Sequence, residues 1–379
     1  MRYKQLLFIL LDCVVINLQA QPVQAHLQIL TLETTPICKF KFTNYAGAGY
    51  GHLDGVGDIA KFRSPEGIAV DKNGTVYVTE YASSIVRKIT AEGIVSTLAG
   101  KDMELGFADG TSGDARFNRP HGVAVDEHLN LYVADMKNCT VRKINPGGKV
   151  ETIAGIPTLQ GSADGKSSQA TFNQPEGIAV NSKGYLYIAD TYNFTIREIS
   201  PDGVVKTFAG KAGEAGDADG KGTQSRFNMP LGIAIDGADN IYIADGNYDG
   251  APNGNCTIRK ITPGGEVTTI AGLTGSTGYA DGIGNRARFN RPVGITVTKD
   301  GVVYIADTEA DTIRKITADG NVSTIGGMYL IEDNKDGIGN KARFNDPQAI
   351  TIDNKGVLFI ADTFNNRISK GELINKKVN

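Results

Sequence analysis

The chain holds 379 residues, of which 47 are glycine and 13 proline, with no tryptophan and a formal net charge of -3. Glycine stands well above its usual share of about 7%, yet it does not recur every third residue, which excludes a collagen-like strand. The 39 basic residues are balanced by 42 acidic ones with no basic run, which excludes a nucleic-acid binder, and the plentiful Val, Ile and Ala exclude disorder.

Arg2 and Lys4 precede an apolar run over residues 6–11, which resumes after Asp12 at residues 13–16, and Val23, Gln24 and Ala25 supply a cleavage site. Residues 1–25 are read as a secretory signal peptide and the protein as exported, to a periplasm or beyond the cell. Cys13 suggests a surface lipoprotein, a reading ranked lower because the acidic Asp12 directly precedes it. No later run reaches the roughly 20 apolar residues of a bilayer span. Residues 26–41 are read as a linker. Cys38, Cys139 and Cys256 form an odd set without a pairing pattern, so they are expected as free thiols, the last two packed as small apolar groups.

From residue 42 onward the chain repeats itself. FRSPEGIAVD at Phe62 returns at Phe117, Phe172, Phe227, Phe289 and Phe344, at intervals of 55, 55, 55, 62 and 55 residues. Eight residues before each Phe stands an Asp-Gly pair, at Asp54, Asp109, Asp164, Asp219, Asp281 and Asp336. After it come an apolar run ending in an acid (Glu80, Asp135, Asp190, Asp245, Asp307, Asp362), then Arg87, Arg142, Arg197, Arg259 and Arg314. Gly100, Gly155, Gly210, Gly272 and Gly327 close the first five units.

Each unit carries four short apolar runs divided by Gly, Pro, Asn and Asp, which predicts four antiparallel strands. Such a period is that of a β-propeller blade. The fold class is therefore all-β: a six-bladed propeller of four-stranded antiparallel blades. The sixth unit lacks its fourth strand, and residues 42–47 (FTNYAG) stand where one is needed, so an N-terminal strand is expected to complete the last blade and close the ring. The propeller is placed at residues 42–370, with 371–379 as a C-terminal tail.

These six F-x-x-P-x-G-I-A-V-D units, each followed by a Y-I-A-D-T-x-N-x-T-I-R type run, resemble NHL repeats. The resemblance covers nearly the whole chain after residue 42 and implies a six-bladed propeller. It leaves function open, because the fold hosts scaffolds, sensors and enzymes alike.

Residues shared by every blade are read as structural. The acids from Glu80 to Asp362 are expected to accept backbone N–H bonds and shape the following turn, and the Asp-Gly pairs are read as turn formers rather than calcium loops, which concentrate several acids. Function is sought where the blades differ. By the resemblance, the residue after each proline starts the strand lining the central channel at the top face. Around the ring these are Glu66, His121, Glu176, Leu231, Val293 and Gln348.

Blades one to three thus present Glu, His and Glu, and blades four and five apolar groups. Glu66, His121, Glu176 and Gln348 are candidate ligand-binding residues. Glu66, His121 and Glu176 are also candidate ligands of a divalent metal ion, the only cofactor considered. The seven-residue excess of the fourth unit falls in residues 246–255 and would bring Tyr248 and Asp249 to the same mouth.

Lyases of related propellers rely on several histidines, and gluconolactonase-like propellers on carboxylates and Asn around a metal. This chain's repeats hold only His52, His121 and His128, and no nucleophile motif. The favoured reading is a monomeric, non-catalytic scaffold that binds a protein, peptide or small-molecule ligand on its top face, with a metal-dependent lyase or lactonase as the alternative. Asn138 and Asn193 begin N-glycosylation sequons.

Overall fold

The computed structural model describes residues 39–247 and 254–374. The proposed signal peptide, Cys13, Cys38, Tyr248 and Asp249 lie outside the described residues.

Six antiparallel sheets stand around a central axis, one per repeat. The second strand of each sheet is sandwiched between neighbouring blades, so Val76–Glu80, Leu131–Asp135 and Val303–Asp307 are buried at every position, and this is why they read as continuous apolar runs rather than alternating ones. The fourth strand lies farther out and regains alternation, as in Lys149–Ala154. Six apolar clusters each span two adjacent blades. The core is thus a ring of blade-to-blade seams rather than a single centre.

Each sheet has five strands where four were expected. The fifth is a two-residue strand at the Asp-Gly site, such as Gly110–Thr111, whose Gly110 pairs with Val150 on the outer edge of its own blade. It covers the edge that a four-stranded blade would leave open.

The Asp-Gly aspartates do more than form turns. In each blade a fully buried arginine bridges two acids: Arg197 reaches Asp190 Oδ2 at 2.8 Å and Asp164 Oδ1 at 2.7 Å. Its guanidinium also donates to the carbonyls of Thr171 and Ala163 and lies 5.2 Å from the Phe172 ring centroid. The repeated Phe, Asp, acid and Arg are therefore one connected cluster per blade. Burial pushes Asp135, Asp190 and Asp307 up to about 6 against the pull of their arginines.

The sixth blade builds the same cluster from a shifted position. Ser369 stands opposite Ile360, where the fifth blade has Arg314 opposite Ile305. Arg367, two residues earlier, reaches Asp362 at 2.8 Å and Asp336 at 3.1 Å instead.

The N-terminal strand closes the ring as expected, though it begins at Lys39 rather than residue 42, and its partner strand runs on to Ile374. Phe42 pairs with Gly371, whereas the fifth blade pairs Ile316 with Val322 at that place. A Cβ on Gly371 would lie 2.7 Å from the Phe42 ring, and one on Gly326 only 2.4 Å from it. The two glycines are the slot into which this one phenylalanine fits.

Cys139 and Cys256 are buried free thiols, with burial raising both and pushing Cys256 up to about 12. Two sequon asparagines, Asn138 and Asn193, have their amides bonded inside the blades and offer no attachment point in the fold. Asn138 is 1% exposed and its Nδ2 donates to Gly106 O and Asp135 Oδ2, each at 2.7 Å. Asn193 repeats this with Gly161 O and Asp190.

Candidate functional site

Small residues bring the six innermost strands together at the axis. A Cβ on Gly67 would lie 2.0 Å from the His121 carbonyl oxygen, on Gly122 2.3 Å from that of Glu176, and on Gly177 2.2 Å from that of Leu231. Backbones therefore touch directly around the channel, which narrows to a cavity of about 60 Å³. Above this floor the mouth widens into a cup of about 230 Å³.

The cup collects Glu66, His121, Glu176 and Gln348, as the spacing from each proline predicted. His121 Nε2 lies 3.5 Å from Glu66 Oε2 and 3.7 Å from Glu176 Oε2, all three side chains being nearly buried. Their backbones are fixed by the ring: Gly122 N–H donates to Glu176 O at 2.8 Å, and the Thr79 hydroxyl to His121 O. Leu231 and Val293 pack with Met229 into a small apolar cluster beside Tyr192. His128 is exposed away from the cup, and His52 sits with Thr97 and Asp102 elsewhere.

Burial drives the electrostatics. Glu66 is raised well above the ordinary carboxylate range, first by desolvation and then by Glu176 and Asp346, with Arg291 and Arg119 opposing. His121 is lowered to about 4 by desolvation and by Arg291, so its imidazole is neutral near pH 7. Among the described residues no group of three His, Cys, Asp or Glu side chains is arranged to hold a metal ion. One imidazole nitrogen facing two carboxylates forms a hydrogen-bonding wall.

A buried neutral histidine makes stability depend on pH. Its folded pKa of about 4 lies below the usual 6.5, so the unfolded chain takes up the proton first and stability falls as pH drops from about 6.5 toward 4. We expect His121→Gln to gain on the parent over that window by up to about 3 kcal/mol. Urea denaturation at pH 7 and at pH 4.5 checks this; an unchanged gap between the two proteins refutes it.

Several cup residues escaped the sequence reading. Arg291, Tyr81, Met136, Lys137, Tyr192, Met229 and Asn247 all line it. Arg291 belongs to the positions just before the prolines, where Ser64, Arg119, Gln174, Arg291 and Asp346 all have positive φ. Such backbone costs on the order of 1–3 kcal/mol per residue and persists where surroundings hold it. Ser64 N–H donates to Asn366 Oδ1 at 3.0 Å, Arg119 N–H to Ser84 Oγ at 3.1 Å and Asp346 N–H to Asp311 Oδ1 at 2.9 Å.

Tyr81 and Met136 mark another departure. In three blades the residue after the acid is a threonine tied to the next blade: Thr191 to Pro230 O, Thr308 to Pro347 O and Thr363 to Pro65 O. Blades one and two replace that tie with side chains facing the cup, and Tyr81 receives Arg119 at 3.0 Å from its hydroxyl. Broken consensus at this place was the available signal.

The description "NHL repeat" matches residues 62–88, 117–144 and 289–316, and "Teneurin NHL domain" matches residues 160–216. The chain is 30% identical over 290 residues to the Arabidopsis thaliana protein Suppressor of quenching 1, chloroplastic, covering 72% of this chain and 27% of that one. It is 28% identical over 304 residues to NHL repeat-containing protein 2 of Bos taurus, covering 71% and 41%. The chain thus spans well under half the length of these relatives.

Among solved structures, a Bacteroides thetaiotaomicron protein of unknown function aligns at a TM-score of 0.68 with 23% identity, over 89% of this chain and 76% of that one. An auxiliary nutrient binding protein from the same species aligns at 0.65 with 16% identity, over 89% and 77%. At these identities the likeness is one of fold. Repeat matches, blade count and ring closure together make this chain a member of the NHL-repeat family of six-bladed β-propellers.

Proposed function

We propose that the protein is an exported, non-catalytic binding propeller whose top-face cup holds a small ligand. The observation that carries this reading is the convergence of Glu66, His121 and Glu176 above a floor of touching backbones. A rigid ring presents these groups with little ordering cost on binding. The cup combines one apolar wall with a few convergent polar groups, the usual make-up of a ligand pocket. The nutrient-binding propeller with the same fold gives this reading precedent without identifying the ligand. Export rests on residues 1–25, and sequencing the N-terminus of protein recovered outside the cytoplasm checks it.

Binding is tested by thermal shift against a defined panel of amino acids, monosaccharides and short dicarboxylic acids. At least one class is expected to raise the melting temperature of the parent and not of His121→Gln, since a ligand that prefers the folded state stabilises it by mass action. Equal shifts in both proteins, or none in the parent, overturn the cup as a ligand site.

A further inference from the structure

The loop entering a blade and the loop leaving it hold two positions that can be followed around the ring. Counting two residues back from each Asp-Gly aspartate and two on from each closing glycine pairs His52 with Asp102, Phe107 with Pro157, Ser162 with Ala212, Asp217 with Thr274 and Tyr279 with Tyr329. In blade one the two meet as a polar contact, His52 Nδ1 lying 3.4 Å from Asp102 Oδ2. In blade five they are two aromatic rings, stacked with centroids 4.1 Å and planes 25° apart. This pair is not core. Tyr279 is 59% exposed, and neither hydroxyl makes a hydrogen bond among the described residues.

Beside the pair runs a groove of about 590 Å³ between the outer strands of blades five and six, Asn321–Gly327 and Lys39–Ala46. Ser323 and Asn340 line it with side chains that make no hydrogen bond among the described residues. Lys39 is the one charged residue of the lining and has no acidic partner there, so the groove does not favour a cation. The volume lies in the range of small-ligand sites and exceeds what one sugar ring fills.

A ligand complementary to these features has a flat face of C–H groups for an aromatic ring, hydroxyls for neutral donors and acceptors, and no positive charge. Sugar rings combine all three: their C–H face meets the negative face of the aromatic ring, and each hydroxyl both donates and accepts, as the Ser, Tyr and Asn side chains also do. A proline-rich helix likewise seeks aromatic grooves, but it seats its prolines between separated rings, and here the two rings close on each other. We propose that this groove binds a short oligosaccharide, one sugar ring lying on Tyr279 and its neighbours reaching Ser323 and Asn340. The site is separate from the cup and does not depend on it.

Titration calorimetry on the full chain uses maltotriose, cellotriose, xylotriose, chitotriose, trigalacturonate and a proline decamer. At least one trisaccharide is expected to bind the parent at a single site and to lose at least about tenfold in affinity in Tyr279→Ala, the scale of one lost aromatic contact. Tyr279→Phe keeps the ring and should stay within about threefold of the parent, and Phe107→Ala, in the corresponding place of blade two, should bind like it. Thermal unfolding of the variants confirms that they fold. If no trisaccharide binds, or if Tyr279→Ala binds as the parent does, the inference falls. It also falls if His121→Gln rather than Tyr279→Ala weakens binding, which puts the sugar in the cup, or if only the proline decamer binds, which makes the groove a peptide site.

Discussion

Replacing Arg197 by methionine is expected to cost about 3–5 kcal/mol of folding stability, the scale for removing one partner of a buried ion pair. Arg197 is fully buried, and its guanidinium joins Asp190, Asp164 and two backbone carbonyls above Phe172. Methionine keeps much of the volume and none of the donors. Asp190, already raised to about 6 by burial, then loses the charge that held it down and retains its proton to higher pH. The unfolded chain gives up that proton at ordinary carboxylate pH, so the deficit of the variant should be smallest near pH 4 and grow toward pH 8. Guanidinium denaturation across that range checks both size and slope. A loss under about 1 kcal/mol, or a deficit that shrinks as pH rises, contradicts the cluster described.

Deleting residues 39–46 should be the most damaging change to the fold. It removes Phe40 and Phe42, which are 4% and 1% exposed, and strips the outer edge of Arg367–Ile374, which pairs with the strand along its length. The Asn44 N–H bonds to Asp336, 3.0 Å to Oδ1 and 3.2 Å to Oδ2, are lost with it. Since the full deletion is apt to leave no soluble protein, Phe42→Ala is the measurable form, with an expected loss of about 3–5 kcal/mol. Gly326 and Gly371 cannot refill the space. A cooperative unfolding transition unchanged in either variant would mean that the strand does not close the ring.

What the sequence made legible was whatever recurs at fixed distance. Six copies of Phe-x-x-Pro set the blade count, and counting two residues on from the position before each proline brought Glu66, His121, Glu176 and Gln348 to one mouth. The outer fifth strand was hidden because two residues carry no alternation to detect. The Asp-Gly aspartates were taken as turn formers because turn chemistry concerns neighbours, while their arginine partners lie 33 residues away, as between Asp164 and Arg197. Arg367 was obscured by its register, since the guanidinium reaches its acids from two positions early. Arg291 depended on a left-handed backbone before proline, which residue type alone does not announce. The sequons illustrate the reverse error: the pattern is present, but Asn138 and Asn193 spend their amides inside the blades.

The slot that Gly326 and Gly371 make for Phe42 also sets an order of events during synthesis. The strand Lys39–Ala46 is among the first parts of the propeller to be made, and its bonding partner Arg367–Ile374 is the last. Until then it has no edge to join, and five blades must wait as an open arc with an exposed seam at each end. Contacts of such long sequence separation form slowly, and an unpaired strand is a template for the wrong partner meanwhile. A phenylalanine that fits only where two glycines face it gives that waiting strand a reason to refuse the other blades, where the place of Gly371 is held by an isoleucine, as at Ile89 and Ile316, paired with a valine in the place of Phe42.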